Sequence, residues 1–78
     1  MWWKLKKLLD DEKIIVYAYS RETRDLDGRI VYDKKTRALN CQIPAANDTE
    51  ADLRFFYPHL RRVIGKMGAP DEEFIAIG

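Results

Sequence analysis

The sequence predicts a small α+β domain, on three observations: a meander of β-branched and aromatic runs over residues 13–43, a long amphipathic segment after an acidic capping stretch at 47–50, and a short apolar run closing the chain. With 78 residues the chain reads as one domain, 1–78. A domain of this size buries only roughly 60–65% of the surface its unfolded chain exposes, so the core is small. Hydrophobic residues at 46% and charged residues at 35% with a net charge of +1 belong to a globular chain, because disorder pairs low hydrophobicity with a large net charge.

The first element is Met1-Trp2-Trp3-Lys4-Leu5-Lys6-Lys7-Leu8-Leu9. On a wheel of about 100° per residue, Met1, Trp2, Leu5, Leu8 and Leu9 share one stripe, and Trp3 falls among the lysines. This predicts a short N-terminal helix with Trp2 packed and Trp3 turned outward. Asp10 to Lys13 interrupts the pattern, and Ile14 to Tyr19 has the length and composition of a strand. That strand is apolar on both alternating sets, which places it inside its sheet.

Asp27-Gly28 offers the positive φ of a tight connection before the strand Arg29-Ile30-Val31-Tyr32. Asp33-Lys34-Lys35-Thr36 has the Asp-first composition of a type I turn. Arg37 to Ile43 follows with Leu39, Cys41 and Ile43 on one face and Asn40 and Gln42 on the other, and Pro44 ends it because proline cannot donate to the ladder.

Asn47-Asp48-Thr49-Glu50 places a good N-cap residue, Asn47, three positions before a glutamate, and Asp48, Glu50 and Asp52 put negative charge where a helix dipole is positive. Leu53, Phe56, Tyr57, Leu60, Val63, Ile64 and Met67 then keep helical spacing. Pro58 inside this run predicts a kink on the outer surface, or two shorter helices meeting near Tyr57. Gly65 and Gly68 offer C-terminal caps, Pro70 forbids continuation, and Phe74 to Ile77 is one closing strand. The expected order is α-β-β-β-α-β, a mostly antiparallel four-stranded sheet of order 3-2-1-4. The long helix covers one face and the short N-terminal helix packs at an end or edge.

Several function classes lose support on composition. A net charge of +1 gives no whole-molecule field for phosphates or acidic lipids, so any such case rests on a local patch. Cys41 is the single cysteine and cannot form an internal disulfide, which together with the lack of a signal-peptide pattern favours a reducing, cytoplasmic setting. No segment approaches the roughly 20 apolar residues of a membrane span.

No catalytic motif is found and no cofactor or metal is expected. Cys41 and His59 are the only thiol and imidazole, too few ligands for a structural zinc site, and Cys41 reads as a small buried hydrophobe rather than half of a nucleophilic dyad. The glycines form no phosphate-binding loop. The acidic runs Asp10-Asp11-Glu12 and Asp71-Glu72-Glu73 read as solvated surface rather than acid–base pairs.

Two surfaces remain. Trp3 with Lys6 and Lys7 is a candidate partner contact, since tryptophans are frequent interface anchors; the alternative is that the segment rotates and Trp3 packs on the sheet edge. Tyr17 and Tyr19, with Arg29, Lys34, Lys35 and Arg37 in the surrounding strands and turns, form a candidate single-stranded nucleic-acid contact on an uncovered sheet face. Carboxylates at Glu22, Asp25, Asp27 and Asp33 are interleaved with these cations and weaken that case.

The opening MWWKLKKLL, Tyr19-Ser20-Arg21-Glu22, the stretch from Asp27-Gly28 through Thr36, the Asn47 to Glu50 start and Pro70-Asp71-Glu72 together resemble a group of small proteins of Gram-positive gut bacteria, in part from mobile conjugative elements. The resemblance implies a bacterial protein and carries over no activity and no functional residue. The functional expectation is a non-enzymatic accessory or interaction protein whose partner is another protein, with single-stranded nucleic-acid binding as the alternative.

Overall fold

A computed structural model describes residues 1–77. Among these, five strands and one helix follow the order β1 (Trp2–Asp10), β2 (Ile14–Arg21), β3 (Gly28–Asp33), β4 (Leu39–Ile43), α1 (Glu50–Gly65) and β5 (Glu72–Ala76). The α+β class holds, with one long helix over one face of an antiparallel sheet. The sheet has five strands, in the order β4-β3-β2-β1-β5.

The expected N-terminal helix is strand β1. It pairs antiparallel with β2 on one side and β5 on the other, so it sits between the two strands that the sequence placed side by side. The closing strand does run in the same direction as β2, as expected, but one strand further out. β4 and β5 are the two edges, and α1 carries the chain from one to the other across the whole sheet.

The register assigns every side chain to a face. Trp3 and Leu5 of β1 oppose Arg21 and Tyr19 of β2, Tyr17 opposes Ile30, and Trp3 opposes Ile75 of β5. These residues lie under α1, whose Leu53, Phe56, Leu60 and Val63 complete the core. Trp3 and Tyr19 both stack on Phe56, with ring centroids 4.9 and 5.7 Å away. Trp2, Lys4 and Lys6 alternate onto the opposite face, which no helix covers.

Other local expectations are corrected by packing. Gly28 is not the positive-φ residue of its turn; Glu22 and Leu26 take left-handed backbone instead, at φ 56° and 52°. Gly28 is needed because a Cβ there would stand 2.2 Å from Cε1 of Tyr19, whose ring fills that space. Ile43 leaves the face of Leu39 and Cys41, because the β3–β4 register shifts between Arg29 and Ile30 and pairs Ile43 with Arg29. It is 51% exposed.

The capping expectations fare better. The helix does begin in the expected stretch, but its N-cap is Thr49 rather than Asn47, two residues later, with the Thr49 hydroxyl accepting from the Asp52 amide at 3.2 Å. Asp33 accepts the amides of Lys35 and Thr36 at 2.8 and 3.0 Å, closing the β3–β4 turn. α1 is one helix that continues through Pro58, with the proline on its exposed side, where solvent can reach the carbonyl left without an amide partner. Gly68 has positive φ just past the helix, and Ala69 returns its amide to the Val63 carbonyl at 3.1 Å.

Substituting Gly28→Ala must displace the Tyr19 ring from the centre of the core. The expected loss is about 1–3 kcal/mol of unfolding free energy, measured by urea denaturation. Gly65→Ala, where a Cβ meets nothing within 4 Å, leaves stability unchanged or slightly raised.

Candidate interaction surface

Trp3, Lys6 and Lys7 do not form a common patch. Trp3 is fully buried, its ring against Phe56 and its Nε1 donating to Asp48 at 2.9 Å. Its position corresponds to the packed alternative, and it offers no area to a partner. Lys7 shares its face but reaches the end of the sheet, where Nζ donates to the Ala69 carbonyl at 2.9 Å and to Asp10 at 3.2 Å. The hydrogen bond with Asp10 raises the Lys7 pKa. Lys6 projects from the other side of the sheet.

The network around Trp3 is structural. The Asp48 carboxylate is inaccessible to solvent, accepts from Trp3 and from the Thr49 amide, and lies 3.6 Å from the Arg21 guanidinium. Arg21 also pairs with Asp52 and donates to the Asn47 carbonyl at 3.2 Å, while its guanidinium carbon is 6.0 Å from the centre of the Trp3 ring. These contacts clamp β1 and β2 to the first turn of α1.

The proposed tyrosine platform is likewise inside the molecule. Tyr17 and Tyr19 lie beneath α1, not on an open face, because their register partners are Lys7 and Leu5. The Tyr17 hydroxyl donates to the Pro70 carbonyl at 2.7 Å, and the Tyr19 hydroxyl accepts from the Ala45 amide at 2.9 Å. Burial is the main cause that pushes the Tyr17 phenol up to about 12, with Asp10, Asp71 and Glu73 adding to it. Burial pushes Tyr19 higher still.

The cations of that candidate site are dispersed. Lys34 pairs with Asp10 at 2.6 Å, and this bond is the leading cause of the lowered Asp10 pKa. Lys35 belongs to the Asp33 turn, and Arg37, with φ 63°, uses its carbonyl to accept from Arg61 of the helix. Only Arg29 of the four stands on the uncovered face, opposite Ala18.

That uncovered face carries its own aromatic and basic residues. Trp2 of β1 and Phe74 of β5 meet with ring centroids 5.9 Å apart at 47°, and the Lys4 ammonium lies 5.6 Å from the Phe74 centroid. Phe74 is 51% exposed and Trp2 is half-buried. Lys6 and Arg29 flank Ala18 in one cross-strand row, with Lys4 opposite Ser20 in the next. Leu9, Val16, Val31 and Ile14 form an aliphatic group toward the far end of the strands.

The connection from Glu22 to Asp27 closes the Ser20 end. Ser20 Oγ donates to the Thr23 carbonyl at 2.6 Å, and Arg29 Nη1 holds the Leu26 and Gly28 carbonyls at 2.7 Å each. Sequence reasoning missed the Trp2, Lys4, Lys6, Phe74 group because a helical N-terminus assigns these residues to no common surface. The available signal was the strict alternation Trp3, Lys4, Leu5, Lys6.

The residues considered for catalysis are apart. Cys41 is not the buried hydrophobe the sequence suggests: it is half-buried and lines a groove of about 450 Å³ between β4 and the first half of α1, with Leu39, Pro44, Leu53 and Tyr57, because β4 is an edge strand, and its sulfur is 3.5 Å from the Tyr19 hydroxyl. His59 lines a separate groove at the β5 edge, with Met67 and Phe74. Among the described residues, no three histidine, cysteine or carboxylate side chains stand together as a metal site would require. Among the described residues, no helix is long and apolar enough to cross a membrane. In comparison with known proteins, the chain matches no family model, no curated protein and no solved structure.

The burial asymmetry sets a stability difference. Trp3→Ala removes a fully buried ring and is expected to lose about 3–5 kcal/mol in urea unfolding, against about 1 kcal/mol for Trp2→Ala. The tyrosines give a pH limit. A phenol raised from about 10 in the unfolded chain to about 12 in the fold stabilises fully below pH 10, and this contribution disappears as pH rises through 12. Thermal unfolding should therefore fall in temperature between about pH 10 and 12, and Tyr17→Phe should flatten that decline.

Proposed function

We propose that this protein is a non-enzymatic accessory module that acts by holding a partner against the uncovered face of its sheet. The observation that carries this reading is the content of that face. An antiparallel sheet with one solvated side alternates apolar residues inward with polar residues outward, yet here Trp2, Leu9, Ile14, Val16, Val31 and Phe74 point away from the helix. Exposed aromatic and aliphatic residues gathered on one side mark a contact surface. The burial of Trp3 removes the anchor of the expected contact with Lys6 and Lys7.

Two exposed phenylalanines on opposite sides allow a direct test. Phe74 lies on the uncovered face and Phe55, 64% exposed, lies on the outer side of α1. With benzoylphenylalanine at either position, irradiation in the native cell should give discrete higher-mass adducts from position 74 and none from position 55. Adducts from position 55 alone, or from neither, contradict the assignment.

A further inference from the structure

The uncovered face combines aromatic rings with positive charge that the fold itself does not neutralise. Lys6 and Arg29 stand on either side of Ala18 in one cross-strand row and Lys4 lies two residues before Lys6 on β1; Arg29 also holds the Leu26 and Gly28 carbonyls, and among the described residues none of the three cations forms an ion pair. The cations that are paired, Lys7, Arg21, Lys34 and Arg54, all lie elsewhere. Among the described strand residues two carboxylates share the face, and Glu22, Asp25 and Asp27 belong to the connection that closes its Ser20 end. Asp33 is held by the amides of its turn, and Glu72 stands at the outer edge opposite Lys6.

Resting on the reading of this face as the working surface, we infer that its ligand is a single-stranded nucleic acid, with bases against Trp2 and Phe74 and phosphates along Lys4, Lys6 and Arg29. The chemistry follows from what each group offers. An aromatic ring accepts any base on its π face, and ammonium and guanidinium groups a few ångströms away neutralise the connecting phosphates. A second copy of the chain fits this surface less well, because packing two such faces together brings their central cations into opposition. An anionic strand is attracted by these cations and meets opposing charge at Glu72 and, toward the far end of the strands, at Asp33. Double-stranded nucleic acid has its bases stacked on one another, so the aromatic pair favours the single-stranded form.

The test is titration of the purified full chain with oligodeoxythymidine of about 15 nucleotides, followed by fluorescence anisotropy of a label on the DNA. Binding is expected in the range of about 1–100 μM at low salt. With three cations on phosphates, log affinity should fall with log salt at a slope of about −2, a loss of roughly 20-fold between 50 and 200 mM. Lys4→Gln with Lys6→Gln should bring that slope to about −0.7. Trp2→Ala should weaken binding about tenfold or more. Removing the opposing charge with Glu72→Gln should tighten it about twofold, whereas Arg61→Gln and Arg62→Gln on the helix should leave it unchanged.

The lysine and Glu72 variants alter exposed or half-buried side chains, so they test binding without touching the core. No binding at low salt overturns the inference, as does binding that is indifferent to Trp2, Lys4 and Lys6. If DNA does not bind but position 74 cross-links to a protein, the ligand class falls and the face remains the contact surface. If position 74 gives no adduct and DNA does not bind, both fall.

Discussion

Trp3 has a face for the helix and an edge for a carboxylate, and the architecture depends on both being met at once. Its ring lies 4.9 Å from that of Phe56 and nearly parallel to it, while its indole nitrogen donates to an Asp48 carboxylate that no solvent reaches. A buried indole needs a partner for its N–H, and a buried carboxylate needs donors for its charge. Each supplies the other here, and Arg21 adds a cation to the same cluster. The contact joins residues 45 positions apart and fixes the start of α1 over the middle of the sheet. It also fixes β1 as a strand with Trp3 inward.

Once Trp3 is inward, the period-two alternation of a strand decides the rest of the N-terminus. Leu5 follows it into the core, and Trp2, Lys4 and Lys6 must face the other way. The same pairing brings β5 beside β1 and so brings Phe74 beside Lys4 and within reach of Trp2. An aromatic and basic sheet surface thus arises from how one tryptophan is buried. A single-residue change in register would exchange the two faces, which is why the clamp around Asp48 bears on any contact made on the opposite face of the sheet.

Much of the fold is legible in the residues. The long helix, the strands from Ile14 onward and the Asp33 turn are read from local pattern because local physics determines them. β1 is different on three counts. Leucine and lysine are good helix formers, so composition points to a helix. The bulge at Leu8 inserts a residue between Lys7 and Leu9, which breaks the alternation and leaves Leu5, Leu8 and Leu9 at helical spacing. Lys7 occupies a core-side position and is tolerated only because its ammonium reaches Asp10 and the Ala69 carbonyl, which lies 62 residues away. Gly28 shows the same limit on a smaller scale, since its role comes from the Tyr19 ring of the neighbouring strand and not from its own turn. The candidate surface was hidden for the same reason, because its membership follows from the register of β1 and β5.

The account therefore stands on the opposite orientations of two adjacent tryptophans, and the most direct measurement is collisional quenching of each one alone. Trp2→Phe leaves Trp3 as the sole fluorophore, and Trp3→Phe leaves Trp2 while keeping an aromatic ring against Phe56. The structure predicts a blue-shifted Trp3 emission that iodide barely quenches and a Trp2 emission that iodide quenches several-fold more strongly. An N-terminal helix reverses this order, with Trp2 shielded and Trp3 open to iodide. That result would contradict β1, the clamp at Asp48 and the composition of the uncovered face together.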